Sequence, residues 1–379
     1  MGTTVSISRA VGGRDPKEAS RCIGNSVLLF ALFSLIGTVL LLLAIEPILS
    51  WLKTPTEAWA DTRAYLLICF AGIPFIVAYN VLAGIFRGLG DTRTPMYFVA
   101  LAGFINLLLD YIFIGPMAMG AAGAAAATIL SEAVSVLLCL LYLRFANLGL
   151  SLTRKDFSFD ALRMKTLLAI GLPISCQDGL IQITFLIITA IANSRGVEVA
   201  AAVGIVEKVI SFLFLVPSSM LSTVSALGAQ NIGAGKYDRV DDILRYAIAI
   251  GVGFGAVMAL LMQFIAPSVV RPFTSDEAVV KAGAAYIRSY IFDCLFAGIQ
   301  FSFSGYFCAW GRSGLSFLHN TLSILLVRVP GAWLACRFFP QTLVPMGLAP
   351  ACGSLFSSIV CILLYRWMKR QNKPTGDKD

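Results

Sequence analysis

The chain has 379 residues, of which 58% are hydrophobic and only 13% charged, and its mean hydropathy is +0.82. Soluble domains average about 45–50% apolar and about 25% charged residues, so the solvent of this chain is lipid. A cytosolic enzyme, a nucleic-acid binder and a disulfide-stapled secreted domain are thereby excluded. The formal charge of +8 is read as membrane orientation, because the basic residues sit between apolar stretches.

A polar lead precedes ten apolar stretches, at about 23–45, 64–86, 95–114, 120–143, 167–192, 199–227, 246–266, 284–309, 316–338 and 345–365. Each matches the roughly 20 residues needed to cross the hydrocarbon as a helix. Continuous rather than alternating apolar runs rule out a β-barrel. The first stretch is too long for a signal peptide. The nine cysteines lie almost all inside these stretches, without a C-x-x-C pair, and are expected as small packing residues. Pro74, Pro173, Pro217 and Pro330 are expected to interrupt spans. Gly251-x-x-x-Gly255 and the run Ala121–Ala127 are expected to allow close helix packing.

Of 29 Lys and Arg residues, 20 fall in the lead, the tail and alternate connections that include 144–165; 6 fall on the other side and 3 within spans. This bias places both termini in the cytoplasm. The most basic connection, 144–165, reads as a linker between a first lobe, 1–143, and a second, 166–366, with a basic tail over 367–379.

The chain also partly matches itself at an offset of about 221 residues. Gly84-Ile85-Phe86 falls on Gly305-Tyr306-Phe307, Gly90 on Gly311, Tyr65 on Tyr286 and Gly12 on Gly233; Thr54 and Glu57 meet Thr274 and Glu277. Such repeats are common in transporters. Spans 167–192 and 199–227 have no counterpart in the first copy, so a six-plus-six plan is present as four plus six, and residues 1–6 read as the tail of an absent helix.

The ordered motifs Gly12-Gly13-Arg14-Asp15-Pro16-Lys17-Glu18-Ala19, Phe86-Arg87-Gly88-Leu89-Gly90-Asp91-Thr92-Arg93-Thr94-Pro95, Asn106-Leu107-Leu108-Leu109-Asp110, Gly171-Leu172-Pro173 and Gln230-Asn231-Ile232-Gly233-Ala234-Gly235-Lys236-Tyr237-Asp238 together resemble the MATE (multidrug and toxic compound extrusion) family. The resemblance implies an all-α integral membrane fold of two lobes forming a V. It also implies secondary antiport, with organic, often cationic, compounds exported across the cell membrane in exchange for Na⁺ or H⁺. The expected partners are a small organic substrate, a coupling cation and the bilayer, for a monomer without cofactor, resident metal or nucleic acid. The coupling aspartate that many members carry on the first helix has no position here.

An intramembrane charge is costly and needs a partner or a cavity. Asp293 in span eight and Asp178 in span five are expected to form a carboxylate pair for the coupling cation or a cationic substrate. The acids that the resemblance implies for those helices would fall at Ile181 and Ala297, within a turn of them. Glu207 is a third candidate facing the cavity. Arg328 in span nine demands an acid, either Asp293 or Glu207. Gln177, Gln300 and Asn106 are candidate polar cavity residues, Asp110 is expected to brace the loop after its helix, and Glu132 and the lone His319 to make helix–helix contacts. Two other functions share the architecture: flipping of lipid-linked saccharides, which calls for several cavity cations such as Lys208, Arg288 and Arg328, and an inactive remnant, the truncated lobe exposing faces built to be covered. Membrane-enzyme motifs are lacking.

The charge bias has a direct check. In a cysteine-free background, Lys155→Cys is expected to react with an impermeant maleimide only after permeabilisation, and Ser275→Cys, in the 267–283 connection, in intact cells. Labelling of residue 155 from outside contradicts this topology.

Overall fold

The computed structural model describes residues 1–145 and 153–371, which form α-helices with brief 3-10 and π segments and, among the described residues, no strand. In chain order the helices are α1 (Gly2–Gly12), α2 (Pro16–Leu43), α3 (Ile45–Trp51), α4 (Thr56–Ala71), α5 (Ile73–Leu89), α6 (Arg93–Ile114), α7 (Gly120–Phe145), α8 (Ala161–Asn193), α9 (Val197–Leu213), α10 (Leu215–Gly233), α11 (Tyr237–Val270), α12 (Glu277–Tyr290), α13 (Phe292–Ala309), α14 (Ser313–Ser323), α15 (Val329–Phe338) and α16 (Val344–Gln371). Among the described residues, nine stretches are long and apolar enough to cross a membrane, and α4 with α5, meeting at 40°, makes ten. These are the ten spans expected from hydropathy, and the chain is a multi-pass membrane protein.

Two compact units emerge, Gly2–Leu168 and the chain from Ala169 onward together with Met1. Of the expected linker, residues 146–152 lie outside the described residues. The rest is docked on the first unit: Asp160 N–H donates to Asn25 Oδ1 at 3.0 Å, and Arg163 pairs with both Glu18 and Asp160. The Thr153 hydroxyl and amide hold the Asp156 carboxyl below its ordinary range. The backbone amide of Arg163 does the same for Asp160, helped by its guanidinium charge. Gly24 is required here, because a Cβ would collide with the Asp156 carbonyl. Of the expected tail, 372–379 lie outside the described residues.

The repeat is physical. Shifted by 221 residues, α2 begins where α11 begins and α4 where α12 begins, and α1 falls on the last half of α10. Helix α1 packs on α5 as α10 packs on α13, and α6 on α7 as α14 and α15 pack on α16. Left-handed turns recur at the same places: Arg14 (φ 55°) and Gly235 (φ 71°), Gly90 (φ 92°) and Gly311 (φ 73°). Residues 1–6, expected as a helix tail, form part of α1, which runs on to Gly12 and is buried at Thr3, Thr4, Val5, Ile7, Ser8 and Ala10. The Thr4 hydroxyl donates to the Gly84 carbonyl at 3.1 Å and Ser8 to Gly88 at 3.2 Å, polar ties that hold helices together where lipid supplies no hydrophobic drive.

Three of the four expected prolines stand at breaks: Pro74 after Gly72, Pro217 after Phe214, and Pro330 after a π segment over Ile324–Arg328. Pro173 does not interrupt its span; α8 continues through it. Gly251 and Gly255 permit close packing as expected, since a Cβ on Gly251 would lie 2.8 Å from Gly298 Cα and one on Gly255 2.5 Å from Leu295 Cα. Asp110 was expected to brace its loop, yet it makes no hydrogen bond among the described residues and its Oδ1 is buried without a partner.

The repeat solves one crossing in two ways. A Cβ on Gly88 would sit 2.8 Å from Ile7 Cβ, whereas at the corresponding positions Gly228 faces Ala309, 2.8 Å from its own added Cβ. Gly88→Ala is expected to destabilise the protein by about 1–3 kcal/mol through overpacking. Adding Ile7→Gly should make the double variant less unstable than the sum of the singles by about 1 kcal/mol or more. Strict additivity of the detergent melting shifts would contradict this pairing.

Candidate functional site

Helices α8, α9, α10, α12, α13 and α14 and the π segment enclose a cavity of about 210 Å³ inside the second unit. Its apolar lining includes Ile181, Phe185, Ile210, Phe214 and Phe301; its polar lining includes Gln177, Ser211, Ser218, Tyr290, Gln300, Ser304, His319 and Asn320. Asp293 and Arg328 supply the only formal charges among the lining residues.

Two departures from regular α-helix place these charges. The span formed by α12 and α13 breaks at Ile291, which puts Asp293 in the first turn of α13. A helix N-terminus favours a carboxylate there. In span nine the π segment ends on Arg328, one residue before the turn opened by Pro330, a kind of bulge that often marks functional positions. Arg328 Nη2 donates to Ser354 Oγ at 2.6 Å and stands 3.4 Å from Asp293 Oδ1. Gln300 Nε2 donates to the same serine at 2.9 Å. Asp293 Oδ2, Gln300 Oε1 and Arg328 Nε are buried without partners. The stem of Arg328 fits because residue 353 is glycine; a Cβ there would strike Arg328 Cγ and lie 3.0 Å from Nε.

A second polar chain runs alongside. His319 bonds through Nε2 to Ser304 Oγ at 2.9 Å and through Nδ1 to Ser357 Oγ at 2.6 Å, tying α13, α14 and α16. Ser316 donates to Gln177 Oε1 at 2.7 Å, and Ser323 to the Gly353 carbonyl at 2.6 Å.

The structure sorts the expected site residues. Asp293 is the acid that Arg328 requires, and Gln177 and Gln300 line the same cavity. Glu207 is half-buried on α9, receives the Thr189 hydroxyl at 3.2 Å, and is not among the lining residues. Asp178 is exposed and outside the lining, while its neighbour Gln177 is buried. Adjacent helical residues point about 100° apart, so one faces the cavity and the other does not. Asn106 lies in the first unit, with Nδ2 3.5 Å from Thr128 Oγ1. Lys208 is exposed, and Arg288 is committed to the Gln263 carbonyl at 3.1 Å. Sequence reasoning left out the serines that hold the site. The spacing Ser313, Ser316, His319 and Ser323 carried that signal, a polar stripe at helical period on one buried face.

A repeated bundle of membrane-crossing helices, with a charged pair held inside one unit, is the build of a membrane transporter. The MatE family model matches residues 1–112 and 173–334, stretches that end 222 residues apart, close to the repeat offset. The chain belongs to the MatE family, whose members are transporters and not enzymes. It is 29% identical over 328 residues to the probable multidrug resistance protein YpnP of Bacillus subtilis (strain 168), covering 85% of this chain and 72% of that protein. It is 26% identical over 347 residues to the FAD transporter of Shewanella oneidensis, covering 88% and 75%. A crystal structure of MATE in complex with MaL6 superposes with a TM-score of 0.92 at 24% identity, over 98% of this chain and 83% of that one.

Gly353→Ala is expected to expel the Arg328 stem and lower stability by about 1–3 kcal/mol. Gly314→Ala, which meets nothing within 4 Å, serves as the control. Equal melting temperatures for both variants would contradict the packing role of Gly353.

Proposed function

We propose that this chain is a secondary active transporter of the plasma membrane. It exports organic compounds in exchange for Na⁺ or H⁺, with both termini cytoplasmic and the monomer as the working unit. The reading is supported chiefly by one observation, a buried carboxylate, Asp293, whose Oδ2 has no partner at the wall of the cavity. Such a group gains from taking up a cation or a proton, and that exchange drives the cycle. Glu207, already hydrogen-bonded by Thr189, is assigned a secondary role. The names of the relatives support export of organic compounds: one is a probable multidrug resistance protein, another an FAD transporter. A flippase of lipid-linked saccharides would need several cations for pyrophosphate, whereas Arg328 is the single cation in the lining and is engaged by Asp293.

The test is efflux of ethidium from drug-sensitive cells and its uptake into everted vesicles. Asp293→Asn is expected to abolish efflux with expression retained, at a lowered melting temperature because Arg328 loses its partner, and Glu207→Gln to slow it several-fold. Undiminished efflux by Asp293→Asn would overturn the assignment.

A further inference from the structure

We propose that the cavity of the second unit binds α-amino acids with large apolar side chains, the carboxylate on Arg328 and the ammonium beside Asp293. This rests on the reading of the chain as a transporter and names a cargo for its site.

The first ground is which charge meets the cavity. The Arg328 side chain is 9% exposed and that of Asp293 1%, so the arginine is the more accessible of the two. The second ground is unused hydrogen-bonding capacity. Arg328 spends one nitrogen, Nη2, on both Ser354 and Asp293. Its Nη1 makes no hydrogen bond among the described residues and, unlike Nε, is not fully buried. A guanidinium is built to hold a carboxylate through two parallel N–H bonds. The contact with Asp293 is single and, at 3.4 Å, longer than the usual 2.7–2.9 Å of a charge-assisted bond. That leaves Nη1, with its unspent N–H bonds, for another carboxylate.

The third ground is charge balance. The two lining charges cancel. A bound anion would leave a buried net negative charge and a bound cation a net positive one, each at a desolvation cost. A zwitterion keeps the site neutral. Because the protein's opposite charges stand side by side, the ligand's must do so as well, which selects the α-amino acid head over zwitterions with distant charges. The unpartnered Asp293 Oδ2 is the acceptor the ammonium would satisfy. Phe185, Phe214, Phe301 and Ile210 then offer apolar walls to the side chain.

The experiment measures equilibrium binding of three radiolabelled probes to the purified full chain: tryptophan, its methyl ester and N-acetyltryptophan. They share one ring and are respectively zwitterion, cation and anion. Tryptophan is expected to bind best, with each derivative weaker by about ten-fold or more, the worth of one charge-assisted hydrogen bond. Arg328→Lys, which keeps the charge and loses the fork, should weaken tryptophan about ten-fold while changing the ester less. The Arg328→Gln/Asp293→Asn double variant, which leaves no unpaired charge, should remove the preference for the zwitterion. Ester binding equal to or tighter than tryptophan overturns the proposal in favour of a cation site, and equal binding of N-acetyltryptophan overturns it in favour of a plain anion site. Ethidium efflux by the native chain with no tryptophan binding overturns this inference and leaves the transport reading standing; absence of ethidium efflux counts against that reading instead.

Discussion

An ion pair within the hydrocarbon has to be held from every side, and the second unit is organised around that requirement. Removing two charges from water costs several kcal/mol per ion, which their attraction repays only when the remaining polar atoms are satisfied. Ser354 serves as the common acceptor for Arg328 and Gln300. Gly353 clears the volume for the arginine stem, and Ser323 ties α14 to the Gly353 carbonyl. The satisfaction is incomplete, since Asp293 Oδ2 and Gln300 Oε1 remain without partners. A fully satisfied network would serve structure alone; an unsatisfied one at a cavity wall has capacity for a ligand.

The repeat shows that this site is not a consequence of the fold. At the same offset of 221, Asp293 corresponds to Gly72, Arg328 to Leu107, His319 to Phe98, Ser354 to Ala133, Ser357 to Val136 and Gln300 to Tyr79. The first unit therefore keeps the helix order, the left-handed turns and the helix pairings while carrying none of the charges. Its packing contacts are met with different side chains, as at Ile7 and Gly88 against Gly228 and Ala309. Shape and chemistry have separated between two copies of one scaffold.

Much of the architecture was legible in the sequence because bilayer thickness and backbone satisfaction allow few alternatives. The ten spans, the breaks at Pro74, Pro217 and Pro330, the close approach at Gly251 and Gly255, and the repeat all follow from composition and spacing. The helix faces were harder to read. Hydropathy records that Asp178 and Gln177 lie in a span but not that the second turns to the cavity and the first away from it. The break at Ile291 has no proline to announce it, and the π segment before Arg328 has no sequence mark beyond the following Pro330. Both change azimuth within a span, and azimuth decides whether Arg328 reaches Asp293 or Glu207. The continuation of α1 to Gly12 was missed because its polar serines and threonines read as a lead, whereas Thr4 and Ser8 donate to carbonyls of α5.

Arg328 and Asp293 act as a coupled pair, and a double-mutant cycle measures their coupling. Stability of the wild type, Asp293→Asn, Arg328→Gln and the double variant would be taken from reversible denaturation in one detergent. Breaking a buried pair from one side costs about 3–5 kcal/mol, and removing both charges costs far less. The double variant is expected to be more stable than the sum of the single losses implies, by about 1.5 kcal/mol or more. Additive losses would show that the two charges do not depend on each other and that the pair is not coupled.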